Sequence, residues 1–155
     1  MTPVVLPDAA AVLSQDGAYR YLLRRSTYRL GTVPNWGGRL VCFVMLNPST
    51  ADALIDDATI RKCRGFALRW GYDGIVVVNL FAYRCTDPRE LRAPPTHTLM
   101  GPDNDQYIDL ALTDPRVRRV VLAWGSWGER VWIKPRVREV LRLVEKTHAE
   151  VVTIG

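Results

Sequence analysis

The sequence predicts an α/β domain: a three-layer α/β/α sandwich around a four-stranded parallel sheet, with an N-terminal strand or hairpin added. Three observations predict it. Four apolar runs, Leu40–Leu46, Ile75–Phe81, Val117–Trp124 and Glu150–Ile154, are separated by segments whose apolar residues recur at three/four spacing. The runs are continuous rather than alternating, as strands buried on both faces are. Strand–helix alternation favours parallel pairing, with right-handed crossovers placing helices on both faces. The expected spatial order of the four strands is second, first, third, fourth. At 155 residues the chain fits a single domain, 1–155, long enough to bury most of its apolar surface in one core.

The elements follow in chain order. Tyr19 to Leu30 reads "YRYLLRRSTYRL", rich in aromatic and β-friendly residues, and is expected to form one strand or a hairpin arm. The next stretch, "VPNWGG" at 33–38, has turn chemistry in Pro34, Asn35, Gly37 and Gly38. Leu40–Leu46 is the first buried strand. A helix over Asp57 to Trp70 carries Ile60, Cys63, Phe66, Ala67 and Trp70 on one face, and Gly71 is its stop. Ile75–Phe81 is the second strand. "CTDPRELRAPP", 85–95, reads as a loop with one short turn, and Asp105 to Leu112 as a helix. After the third strand, Val117–Trp124, the segment Arg136 to Lys146 is an amphipathic helix with Val137, Val140, Leu141 and Val144 on its apolar face. Glu150–Ile154 is the fourth strand. No internal repeat, low-complexity tract or linker interrupts the pattern.

Composition narrows the function classes. With 48% hydrophobic and 24% charged residues the chain has the balance of a soluble globular protein. No run of about 18 apolar residues supports a membrane span. The N-terminus lacks a basic segment followed by an apolar one, so no secretory signal is read there. The expectation is a cytoplasmic monomer without a membrane partner. Cys42, Cys63 and Cys85 are odd in number and have no CxxC spacing, so they read as reduced, packed thiols. No metal and no cofactor is expected. The net charge is +5, with much of the excess in Arg116, Arg118, Arg119, Arg130, Lys134, Arg136, Arg138, Arg142 and Lys146. A basic balance favours a polyanionic partner such as nucleic acid, although arginines on an amphipathic helix are usually its solvated face.

The strand ends carry the functional signal. The first strand ends at Asn47-Pro48, the second carries Asn79 just before Leu80-Phe81-Ala82-Tyr83, and the third ends at Trp124-Gly125-Ser126. In a parallel sheet such ends gather on one edge, where ligands bind. A lone asparagine at a strand end is commonly a turn former. Asn79 interrupts an apolar strand, so its amide must find partners or cost about 1–3 kcal/mol in desolvation. Asp56 or Asp57 reads as the N-cap of the following helix.

These ends belong to larger motifs. "VMLNPSTAD", "DDATIRKCRGFALRWGYDGIVVVNLFAYRCTDP", "GPDND" and "VVLAWGSWG" resemble, in order and spacing, the bacterial and phage family called domain of unknown function 1643 (DUF1643). The match runs from about Tyr19 to the C-terminus. That family in turn resembles the uracil-DNA glycosylase superfamily, with a short parallel sheet between helices. The resemblance implies that Asn47, in Met45-Leu46-Asn47-Pro48, positions the attacking water, and that Asn79, in "VVVNLFAYR", reads a base taken out of the helical stack. It sets "VVLAWGSWG" beside a third strand motif. Two departures stand out. Met45 replaces a glycine that lets a nucleotide approach the backbone. The superfamily's last motif, a His-Pro-Ser-Pro-like loop supplying a histidine, should begin where this chain ends, at Val152-Thr153-Ile154-Gly155. Either the sequence is a fragment or the protein lacks half that site. His97 and His148 lie in no matching position.

The chemistry implied is hydrolysis of an N-glycosidic bond in nucleic acid, most simply DNA, or action on a nucleotide. Asn47 contributes positioning, because an amide is a poor base. Asp56 or Asp57 is the candidate for the missing basicity. Asn79 pairs a donor with an acceptor, which suits the Watson–Crick edge of a pyrimidine. Phe81 or Tyr83 is the candidate stacking surface, and Ser49 and Thr50 are candidates for phosphate contact. Pro48, Trp124, Gly125 and Ser126 complete the expected rim. The competing class is a module that binds a modified base, nucleotide or nucleic acid on the same fold without cleaving it. A Rossmann-like nucleotide enzyme is disfavoured, since no Gly-rich phosphate loop follows the first strand.

Overall fold

Leu40–Met45 (β3) occupies the middle of the sheet because nearly every side chain it carries is apolar and can be buried on either face. Leu40 to Val44 are at most 1% exposed. The computed structural model describes residues 11–27, 38–92 and 96–154. Around β3 lie Ala11–Leu13 (β1), Arg20–Ser26 (β2), Gly74–Asn79 (β4), Val117–Leu122 (β5) and Glu150–Thr153 (β6). The helices are Ala58–Arg69 (α1), Thr96–Met100 (α2), Asn104–Thr113 (α3) and Lys134–Val144 (α4), with 3₁₀ turns at Pro88–Arg92 and Gly125–Glu129.

Among the described residues the sheet has six strands and is mixed, in the order β1-β2-β4-β3-β5-β6. β4, β3, β5 and β6 pair in parallel. The addition is the β1–β2 hairpin, whose second arm pairs antiparallel with β4 from Leu23↔Val77 to Ser26↔Gly74. A hairpin arm can extend the edge of a parallel sheet without a crossover, and four short strands left an open edge for it to cover. Tyr28–Leu30 and residues 33–37 of the expected turn lie outside the described residues.

Side chains alternate between two cores. Val41, Phe43, Ile75, Val77 and Val121 face α1, which contributes Ile60, Cys63 and Ala67. Cys42, Val44, Val76, Val78, Val120 and Leu122 face α3 and α4, which contribute Ile108, Ala111, Leu112, Val140 and Val144. Burying one such side chain is worth about 1.5–3 kcal/mol, and this two-sided burial is what holds the layers together. α1 is bounded as its sequence dictates: Asp57 caps it by accepting from the Ile60 N–H at 2.9 Å. Its end is a Schellman turn. Gly71 takes φ +80°, and the Tyr72 N–H reaches the Ala67 carbonyl at 2.9 Å. α2 lies between the expected loop, 85–95, and the expected helix, Asp105 to Leu112, in a stretch to which the sequence assigned no element.

Candidate functional site

Three parallel strands stop together on one edge, held there by backbone bonds past their ends. The Leu80 N–H donates to the Met45 carbonyl at 2.9 Å, and the Ala123 N–H to that of Val44 at 2.8 Å. Asn47, Asn79 and Trp124 are thereby gathered, and they line one recess of about 200 Å³. Pro48, Ser49 and Asp57 line it as well. Pockets for drug-sized ligands run to about 300–1,000 Å³, so this one suits a single small ring rather than a dinucleotide.

Asn79 is the most informative group in it. The residue is 1% exposed, and neither Nδ2 nor Oδ1 has a hydrogen-bond partner among the described residues. Its neighbours are fixed around it. The Asn104 side chain at the start of α3 donates to the carbonyls of Asn79 and Leu80, at 3.0 and 3.2 Å. Buried Arg136 also donates to the Leu80 carbonyl, at 2.7 Å, and pairs with Asp105 and Glu139. The backbone of the β4 end is therefore clamped while the Asn79 amide itself is unengaged.

Arg20 lies in the same recess, and the sequence reading missed it. It is 2% exposed; its Nη1 donates to the Ala51 carbonyl at 3.1 Å, while Nε has no partner among the described residues. Burial, opposed by the charge of Asp57, lowers its pKa to about 10, so the guanidinium is still protonated at neutral pH. A register shift delivers it there. Val12 faces Leu22 but Leu13 faces Arg20, so Tyr21 is an extra residue in β2. Tyr21 stacks on Tyr107 of α3, and Leu22 joins the same core. Two successive residues thus share the α3 side, and Arg20 is carried to the α1 side.

The acidic residues divide. Asp57 lines the recess, but its oxygens accept from the backbone N–H groups of Ile60 and Ala51, at 2.9 and 3.4 Å. Asp56 does not line it. Its carboxylate pairs with Arg25 at 2.6 Å and Arg64 at 2.9 Å. Burial pushes the Asp56 pKa up, but the hydrogen bonds from Arg64 and Arg25 outweigh it and hold the group below the usual carboxylate range. Arg25 also donates to the carbonyls of Asp52 and Ile55. The loop after β3 is thus held by arginines, with Leu54 and Ile55 at its tip 92% and 64% exposed.

Asn47 has a structural duty as well. Its Nδ2 donates to the Cys85 carbonyl at 2.7 Å and to that of Pro48 at 3.0 Å. Its Oδ1 accepts no hydrogen bond among the described residues. The remaining candidates scatter. Phe81 is fully buried in the core on the α3 side, away from the recess. Tyr83 and Thr50 line a neighbouring recess of about 480 Å³ with Arg84 and Cys85, and Ser49 borders both. Gly125 lines an apolar recess beyond Met45, and Ser126 is exposed. A larger recess, about 620 Å³, lies over Tyr19, Tyr21 and Tyr107, and none of the candidate residues lines it.

The late run of basic residues divides: Arg136 holds the Leu80 carbonyl at this edge, and others lie away from it. Arg116, just before β5, pairs with Asp114, Arg119, in the first half of β5, pairs with Glu150 at the start of β6, and Arg138 and Arg142 are exposed on α4. Arg130, stacked on Trp127 and Trp132, and Arg89, paired with Asp87, border a recess that shares Trp127 with the central one. Arg84 stands on the other side. Cys42 and Cys63 are buried free thiols with pKa values pushed up to about 12 by burial, which makes them inert packing groups. His148 is exposed. Among the described residues no group of three or more His, Cys, Asp and Glu side chains could hold a metal ion, and no helix is long and apolar enough to cross a membrane.

Residues 20–155 match the family model described as protein of unknown function (DUF1643). The chain belongs to this family. The matched region begins at Arg20 and takes in every residue that lines the central recess. No curated protein and no solved structure matches the chain.

Proposed function

We propose that this DUF1643 protein hydrolyses the N-glycosidic bond of a damaged or modified base in nucleic acid, taking the extruded base into the recess at Asn79. The observation that carries the reading is the Asn79 amide: 1% exposed, in a clamped strand end, with both polar atoms unpartnered among the described residues. A buried amide in that state costs about 1–3 kcal/mol, and a base edge offering one donor and one acceptor would satisfy it. Extruding a base costs a few kcal/mol and is least costly when the base is damaged or mispaired.

In the proposed step a water held at Asn47 Oδ1 bonds through its oxygen to C1′ of the sugar. The bond from C1′ to the base nitrogen breaks, and its electron pair leaves with the base. The water gives up one proton and the base takes one up, so the sum is hydrolysis. Asp57, a carboxylate that lines the recess, is the candidate to take the water's proton.

One observation favours a second reading, a base-binding module without turnover. Asp57 is already engaged as a helix cap and Asp56 by two arginines, so neither candidate carboxylate is uncommitted. Incubation with duplexes carrying single damaged or modified bases, followed by alkali, separates the two. Strand breaks at abasic sites support the hydrolase; protection of one duplex without breaks supports the binder. Neither breaks nor protection across the panel would overturn both.

A further inference from the structure

Arg20 is anchored on one side and, among the described residues, unpartnered on the other. Its Nη1 is spent on the Ala51 carbonyl at 3.1 Å. The opposite edge of the guanidinium, Nε and Nη2, is the one that forms two parallel bonds, as Arg116 does to Asp114 and Arg89 to Asp87. On Arg20 that edge makes no hydrogen bond among the described residues, and Nε is fully buried. No ion pair joins Arg20 to Asp57 among the described residues, although both line the recess. A buried cation that forms no ion pair among the described residues is costly, and the register shift in β2 places this one in the recess that Asn79 also lines.

We infer that the Nε–Nη2 edge of Arg20 reads a base presenting two neighbouring acceptor atoms, while Asn79 reads the group beside them. The inference rests on the base-binding reading above and narrows its substrate class. Cytosine-type bases offer N3 and O2 as adjacent acceptors, with the N4 amino group next to them for Asn79 Oδ1. Guanine-type bases offer O6 and N7. Adenine, thymine and uracil have no such pair, since a donor or a carbon stands beside each of their acceptors. The edge could also take two oxygens of a phosphate, but a phosphate alone leaves the acceptor half of the Asn79 amide unsatisfied.

The test uses otherwise identical duplexes with C, G, A or T opposite an abasic site, which makes extrusion inexpensive. Dissociation constants for the wild-type protein are measured in low salt. Binding of C or G at least about tenfold tighter than A and T is expected, because one good bidentate contact discriminates by that order. Replacing the favoured base by its 3-deaza-cytosine or 7-deaza-guanine analogue, which removes one acceptor of the pair, should abolish the preference without any change to the protein. Arg20→Lys, which keeps the charge but not the fork, should abolish it too, with folding checked by circular dichroism. Equal binding of all four bases, or of the deaza analogues, would overturn the inference and leave the base-binding reading standing. Competition by millimolar inorganic phosphate as effective as that by a nucleoside would overturn it in favour of a phosphate site. Failure to bind any of the four duplexes more tightly than a fully paired one would overturn the base-binding reading itself.

Discussion

The side-chain amide of Asn104 donates to the backbone carbonyl of Asn79 at 3.0 Å, tying the start of α3 to the end of β4. Asn104 lines none of the recesses described above and is fully buried, yet it fixes the strand end that carries Asn79. Asn104→Ala should lower the unfolding free energy by about 1–3 kcal/mol, since two carbonyls lose a buried donor. It should also weaken base binding severalfold through misplacement alone. Paired denaturation curves and duplex titrations check both effects; a stability loss with unchanged affinity would show that the clamp is purely structural.

Asn79 makes the opposite prediction. A buried amide without partners destabilises the free protein, so Asn79→Leu, of similar branching and apolar, should raise stability by about 1–3 kcal/mol. The same change should remove duplex discrimination. Urea unfolding of the two proteins is the check, and a destabilised Asn79→Leu would mean that the amide is satisfied in the folded state.

Asn47 combines both roles. Its Nδ2 bonds the Cys85 and Pro48 carbonyls, so Asn47→Ala should cost about 1–2 kcal/mol of stability rather than leave folding untouched. If the protein is a hydrolase, loss of the water-positioning Oδ1 should slow base release by an order of magnitude or more at saturating substrate. Single-turnover rates for the folded fraction separate the two effects.

Asp56 is assigned to the fold, not the chemistry. Its pairing with Arg25 and Arg64 holds its pKa below the ordinary value. A lowered pKa means that its contribution is fully present above the unfolded value of 3.8 and is lost as the pH falls through the folded one. Asp56→Asn should therefore cost about 1–2 kcal/mol at neutral pH, with the gap closing below about pH 4. A gap independent of pH would contradict the assignment.

What the sequence made legible follows from how locally each feature is encoded. Continuous apolar runs declare buried strands, and Asp57 and Gly71 declare the ends of α1, because caps and stops depend on a few adjacent residues. Asn79 was legible because an amide inside "IVVVNLF" has no local reason to be there. Arg20 was not: its side depends on a one-residue shift in β2, which no alternation pattern in "YRYLLRRS" reveals. Asn104 was hidden for a related reason, since a polar residue opening a helix reads as a cap, and its reach to β4 exists only in the folded chain. Phe81 and Tyr83 carried equal promise as stacking surfaces. The fold buries the first and turns the second to a different recess, a choice made by packing.

The central claim is that the Asn79 amide receives a base, and the signal of that amide tests it most directly. The chain of 17.5 kDa is within reach of solution NMR, where the Asn79 Nδ2 protons can be assigned by their loss in Asn79→Leu. The account predicts that titration with a duplex carrying an extrudable base moves both protons, with saturation at the same concentration as binding measured by anisotropy. A saturated complex in which the Asn79 amide protons stay in place, while signals of Arg84 or Arg130 move, would contradict it.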